Sequence, residues 1–451
     1  MSNTTKSSKE TMPNGIPYII GNEFAERFSF YGMKAILVVF MTQYLMNSSG
    51  ELDLMTESQA KKWYHLFVML TYFLPIFGAL LSDVFLGKYR TIIGLSVVYC
   101  LGHLALALDD TRLGLSIGLT LIAIGSGGIK PCVSAHVGDQ FSSENKGLLD
   151  IVFKYFYLAI NVGSVLSMLL IPVLLEKYGP HVAFGLPGLL MLIATILFWM
   201  GRKVFVSVKP VGLKAYMEVV LSDQGKKAIL SLIPIYLFVA FFFSVFDQTG
   251  SALVFQAQHM DKGVNFFGFQ FELLASQVQA ANPFFVIVLI PIFAFYIYPF
   301  FNKTFFHLKG LHKITLGMLL CAISFAICAW LEIQIQAGGK PTILIQVFAY
   351  LILTAAEILV SITALEMAYT QAPNAMKSFI MSFYLLAIAF GNFITAMVNG
   401  FNEQADGSLY LEGADYYWFF VWITLGATIV LGIMSKYYRE LEYVQTEDMI
   451  E

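Results

Sequence analysis

Residues 21–34, GNEFAERFSFYGMK, set Glu23, Glu26, Arg27, Phe30, Tyr31 and Lys34 at successive spacings of 3, 1, 3, 1 and 3. That spacing is one face of a helix. Two acids, two bases and a phenol on one face can bind a charged group, pass a proton, or neutralise one another. Glu23 and Arg27 stand i, i+4 and can pair in place. The surroundings sharpen the question, because residues 16–46 are otherwise largely apolar. A charge at the centre of a bilayer costs at least about 2.5–3.5 kcal/mol, so it normally faces a partner or a water-filled cavity.

Other chemistry-bearing residues lie in similarly apolar settings. GSGGIKPCVSAHVGDQF places Lys130 beside Gly125, Gly127, Gly128 and Pro131, which predicts a bent or broken helix presenting a lysine at mid-depth. FDQTGS carries Asp247, SQVQAANP carries Asn282 before Pro283, and AAEILVSITALEMAYTQAP carries Glu357 near a span's middle. Glu366 stands nearer that span's end and reads as a gate or surface charge. FYLAINVGS sets Tyr157 and Asn161 one turn apart, and His65 is a further candidate. A carboxylate in a low-dielectric cavity exchanges protons closer to neutrality than one in water, which suits a proton carrier.

The elements that must hold these residues are membrane helices. The chain is 58% hydrophobic and 13% charged, with mean hydropathy +0.71, against about 45–50% and roughly 25% in soluble domains. A net charge of −3 without a long basic run argues against nucleic acid. Twelve apolar segments are counted, near 16–46, 59–82, 88–108, 112–140, 147–175, 181–202, 227–257, 277–302, 311–334, 342–371, 376–400 and 414–437. The expected fold is an all-α membrane protein of major-facilitator type, with twelve transmembrane helices in two six-helix bundles. These are residues 1–201 and 228–451, joined by a polar cytoplasmic linker, 202–227. Lys and Arg favour the loops on the side of the N-terminus, seventeen to six, so both termini are expected in the cytoplasm. The polar first fifteen residues lack a signal-peptide order, so the first span is expected to be retained.

Cys100, Cys132, Cys321 and Cys328 form no CxxC or Cys/His cluster and are expected to pack. HExxH, GxSxG and paired-aspartate patterns are absent, so no enzyme, metal or cofactor is expected. In GALLSDVFLGKYR, Gly78 permits a close helix approach, and Asp83 and Arg90 are expected to pair or cap helix ends where one half slides on the other.

Taken together, these segments resemble a family. EFAERFSFYG is similar to the ExxERFxYYG motif of the proton-dependent oligopeptide transporters, a branch of the major facilitators, and GSGGIKPCVSAHVGDQF to that family's second signature. FYLAINVGS, FDQTGS, the NP pair and the span-10 glutamate keep the family's order, so the resemblance covers nearly the whole chain. The stretch around Tyr64–His65 and the segment TALEMAYTQAP resemble the animal di- and tripeptide carriers. The short loop after span 9 lacks their extracellular domain, which implies a bacterial inner-membrane member. The linker, residues 202–227, is too short for the two extra helices of many bacterial relatives.

The resemblance implies that Arg27 and Lys130 hold a peptide carboxylate, with Tyr31 nearby, and that Glu357 receives the peptide ammonium. It also implies that Asn161 and Asn282 fix the backbone and that Tyr72 lines the cavity, while Lys34 belongs to the substrate set as a source of field. Glu23, Glu26, His65, Asp247 and Glu357 form the implied proton-coupling group, with His65 as an outer proton site and Asp247 pairing across the halves. The empty cavity is expected to let Lys130 pair with Glu357 or Glu26. Phe30, Tyr384, Ala252 and the Ser361–Ile362 pair depart from the family pattern. The implied function is proton-coupled import of di- and tripeptides by alternating access, by a monomer in the lipid bilayer. A nitrate or drug carrier, or a peptide-sensing membrane receptor, is the alternative.

Overall fold

The computed structural model describes residues 11–142, 145–210, 212–266, 268–304, 310–370, 377–404 and 406–438. The ends of the chain and residues 371–373 of the TALEMAYTQAP match lie outside the described residues. The chain is built from long helices: α1 (Ile16–Gln43), α2 (Glu57–Leu86), α3 (Lys88–Leu108), α4 (Arg112–Asp139), α5 (Leu149–Lys203), α6 (Asp223–Gln258), α7 (Ala275–Phe301), α8 (Gly310–Gln336), α9 (Ile343–Ala368), α10 (Lys377–Asn402) and α11 (Ala414–Met434). Local chemistry starts several of them. Pro17 occupies the first turn of α1, where its missing N–H costs nothing. Thr56, Thr111 and Ser222 cap α2, α4 and α6 by accepting the amides of Gln59, Gly114 and Gly225.

Ten of the described helices are long and apolar enough to cross a membrane. Two features separate that number from the twelve spans read in the sequence. α5 is two arms joined at Gly179, whose φ of 78° turns the chain just before Pro180. α1 carries too many charges to register by apolarity, although it is 28 residues long and mostly buried. The loops after α1, α3, α6, α8 and α10 share one surface, here the distal face. There Arg112 bonds Asp53 at 2.9 Å, Met46 bridges Thr111, and Gln336 bonds the start of α11. The linker lies on the opposite, terminal face and holds a short helix, Leu213–Val220. A two-stranded antiparallel hairpin, β1 (Gly263–Phe266) and β2 (Phe269–Glu272), stands on the distal face and is the one element outside the all-helical expectation among the described residues.

Gly78 allows the expected close helix approach, to Gly128 of α4 within the N-terminal half. Two other sequence expectations need correction. At the α2–α3 turn the ion pair is Lys88 with Asp139 of the DQF element, at 2.7 Å, while Asp83 accepts a bond from Ser82. α4 also runs unbroken through Pro131, because Gly127 and Gly128 let α2 and α3 pack tightly around it.

Candidate binding cavity

A cavity of about 170 Å³ lies between the chain halves. Tyr31 and Lys34 of α1 and Tyr72 of α2 face Asp247 of α6, Asn282 of α7 and Glu357 of α9 across it. Backbone irregularities deliver the acids. α6 leaves α-helical geometry at Asp247–Gly250, a 3₁₀ turn, so Asp247 caps the first α-helical stretch of α6, Asp223–Phe246. Glu357 is the last α-helical residue before a π-helical turn, 358–362, a distortion often found at functional sites.

The α1 face is self-paired on its terminal side. The Arg27 Nε lies 2.7 Å from Glu23 and 3.2 Å from Glu26, both carboxylates being buried. Ser126 of α4 also reaches Glu26, at 3.5 Å. Lys130 forms neither expected pair. Its ammonium stands 3.9 Å from the ring centre of Tyr72 and 4.4 Å from that of Phe30, and Nζ has no hydrogen-bond partner among the described residues. The physical reason is that Arg27 already takes Glu26, leaving the lysine two aromatic faces. Phe30 has lost a hydroxyl and kept this cation-facing ring.

Across the cavity, the Glu357 carboxylate accepts one hydrogen bond, from the Asn282 amide at 2.8 Å, and Asn282 also donates to Thr354 at 3.1 Å. No cation pairs with Glu357 among the described residues. Asn161 spends its amide on the Tyr157 carbonyl of its own helix, at 2.9 Å, and stands off the cavity wall.

A second network closes the distal end. Lys34 lies 3.3 Å from Asp247, joining the halves. Asn392 of α10 donates to the other Asp247 oxygen at 2.7 Å, and its own oxygen meets His65 Nδ1 at 2.7 Å. His65 Nε2 contacts Ser251 at 2.8 Å. With the Asn392 amide turned to Asp247 and the Ile388 carbonyl, its oxygen must accept. His65 therefore carries its proton on Nδ1 and accepts from Ser251. His65 is fully buried and sits in this chain of bonds, not at an outer surface. Asn392 was not singled out in the sequence; its one signal is a lone amide in the apolar run IAFGNFI.

Among the described residues, every side-chain hydrogen bond and ion pair between the halves lies at or distal to Asp247. The others include Gln279 to the Ala35 carbonyl at 3.0 Å and Ser58 to the Asn399 carbonyl at 2.9 Å. The halves also meet tightly at Gly250, where an added methyl collides with the Tyr64 hydroxyl. Gly250→Ala is expected to wedge the distal side open. Alkylation of a cysteine placed at Glu403 should speed up at least about tenfold; unchanged alkylation refutes the wedge.

The profile of the POT family matches residues 89–221 and 213–419, most of the chain. The chain belongs to the POT family. Solute carrier family 15 member 2 of Mus musculus is 35% identical over 389 residues, which cover 75% of this chain and 51% of that protein. Peptide transporter family 1 of Drosophila melanogaster is 34% identical over 377 residues, 73% of this chain and 49% of that protein. The POT chain thus spans about half the length of the curated relatives it matches. Among solved structures, an auto-inhibited POT family peptide transporter superposes with a TM-score of 0.86 at 32% identity, covering 96% of this chain and 99% of that one. The fold is accordingly that of the POT transporters, multi-pass and helical, and the family consists of transporters rather than enzymes.

Proposed function

We propose that this POT chain is a proton-coupled symporter that imports di- and tripeptides by alternating access. The observation that carries the reading is a pair of opposite charges, one in each half, that lack ionic partners among the described residues. Among the described residues Glu357 is bonded by a neutral amide and by no cation, and Lys130 rests on two aromatic faces with no hydrogen-bond partner. A zwitterionic peptide supplies the missing partner of each, with its ammonium at Glu357 and its carboxylate toward Lys130 and Arg27. Asn282 and Tyr31 line the cavity and can meet the backbone, and side chains that vary are tolerated because both ends are held by charge. A nitrate carrier has no use for an unpaired glutamate in its cavity.

Protons enter by competition. Arg27 is held by two carboxylates. Protonating either one loosens it toward a peptide carboxylate, while Glu357, Asp247 and His65 relay the state of the cavity to the distal seal. In this reading that face, which carries the basic linker and terminal loops, is the cytoplasmic one in a bacterial inner membrane. In this reading the chain works as a monomer with the distal side shut.

The test is uptake. In proteoliposomes with an imposed inward proton gradient, labelled dialanine should accumulate, and a protonophore should abolish it. Saturable binding without accumulation under any gradient refutes symport and favours a sensing receptor.

A further inference from the structure

Lys61 lies inside α2 and is only 9% exposed. Its ammonium stands 4.2 Å from the ring centre of Tyr416 at the start of α11. It forms no ion pair among the described residues; the opposite charges that act on it are Glu57, one turn distal on α2, and Glu332 of α8. The Tyr416 hydroxyl accepts a bond from Asn399 at 3.0 Å, and the Asn399 carbonyl accepts one from Ser58 at 2.9 Å. Lys61 and Ser58 are on α2, Asn399 on α10 and Tyr416 on α11. The four residues thus close a loop across the two halves.

This loop stands between the distal surface and His65. Four residues of helix separate Lys61 from Glu57, and four more separate it from His65, about 6 Å of rise each. His65 is the distal member of the chain His65–Asn392–Asp247–Lys34. A hydronium approaching it from the distal side meets a buried ammonium first. Fixed positive charge in a narrow, dry passage excludes protons and cations, and the low dielectric there strengthens the repulsion.

We propose that Lys61, held over Tyr416, is an electrostatic plug that keeps protons from His65 while the distal side is closed. When the halves part there, Lys61 leaves Tyr416 for water and His65 becomes reachable. The plug therefore suppresses proton leak in the absence of peptide. It rests on the proton-coupled reading above.

The experiment uses the whole chain in proteoliposomes containing a pH-sensitive dye, with an inward proton gradient and no peptide. Lys61→Met keeps the aliphatic stem and removes the charge; it should raise proton entry several-fold, while Lys61→Arg should stay near wild type. Dialanine exchange at equal pH should survive in both, showing that the variants fold. In Lys61→Cys, 2-aminoethyl methanethiosulfonate restores an ammonium and should suppress the leak, whereas the uncharged methyl reagent should not. Equal leak in Lys61→Met and wild type, or equal suppression by both reagents, overturns the plug. A wild-type protein whose dialanine uptake moves no protons refutes the symport reading, a separate result from a different measurement.

Discussion

Asp247→Asn should unlock the distal side of the protein. The substitution keeps shape and lets the Asn392 amide keep its acceptor, but it leaves the Lys34 ammonium buried without a carboxylate. Breaking a buried ion pair by removing one partner costs about 3–5 kcal/mol, most of it from the charge left behind. Because this pair joins α1 to α6, the cost falls on the state in which the distal side is shut. In the open state Lys34 meets water and loses little. At 1.4 kcal/mol per tenfold, the balance between the two states should move by roughly two to three orders of magnitude. A cysteine at Glu403 should become readily alkylated, and gradient-driven dialanine accumulation should collapse. Removing both charges, in Lys34→Gln with Asp247→Asn, leaves no orphan and should recover much of the closed population. A double variant as open as the single one means the pair does not set the gate.

The sequence made the charged residues legible and left their pairing open. Helical spacing put Glu23, Glu26, Arg27, Phe30, Tyr31 and Lys34 on one face, and the structure has Arg27 between its two neighbouring acids. Spacing along α1 says nothing about what stands opposite, and so the face divides. Its terminal part is self-paired, while Lys34, at the distal end, reaches Asp247, 213 residues later in the chain. Lys130 shows the same limit. Its depth was readable from the length of α4, but that Arg27 takes Glu26 and leaves the lysine the rings of Phe30 and Tyr72 was not. Asn392 and Lys61 were missed for a different reason. A single amide in an apolar run, or a lysine one turn from a helix start, has an ordinary local explanation. Only tertiary placement distinguishes a relay or a plug from a packing contact. The twelve spans read in the sequence include the charge-rich α1 and divide α5 near Gly179, the two places where counting long apolar helices one by one gives ten.

Glu357→Gln should lower the apparent affinity for free dipeptides by roughly ten- to a hundredfold, the equivalent of the 1.5–3 kcal/mol expected of a hydrogen bond to a charged group. The variant tests charge alone. A glutamine oxygen still accepts the Asn282 amide, whose 2.8 Å bond is the one the glutamate makes among the described residues. Any loss then reports the peptide ammonium rather than a collapsed wall. Substrates without an amino terminus, such as N-acetylated dialanine, never use that charge and should weaken less than about threefold. Comparing two assays separates binding from coupling. If Glu357 also carries a proton, gradient-driven accumulation of the variant should fall further than its exchange at equal pH. Equal loss for free and acetylated peptides makes Glu357 a structural acid of α9, and the orientation of peptide across the halves falls with it. Unchanged affinity for both means the ammonium is met elsewhere, with Asp247 the remaining carboxylate on the cavity wall.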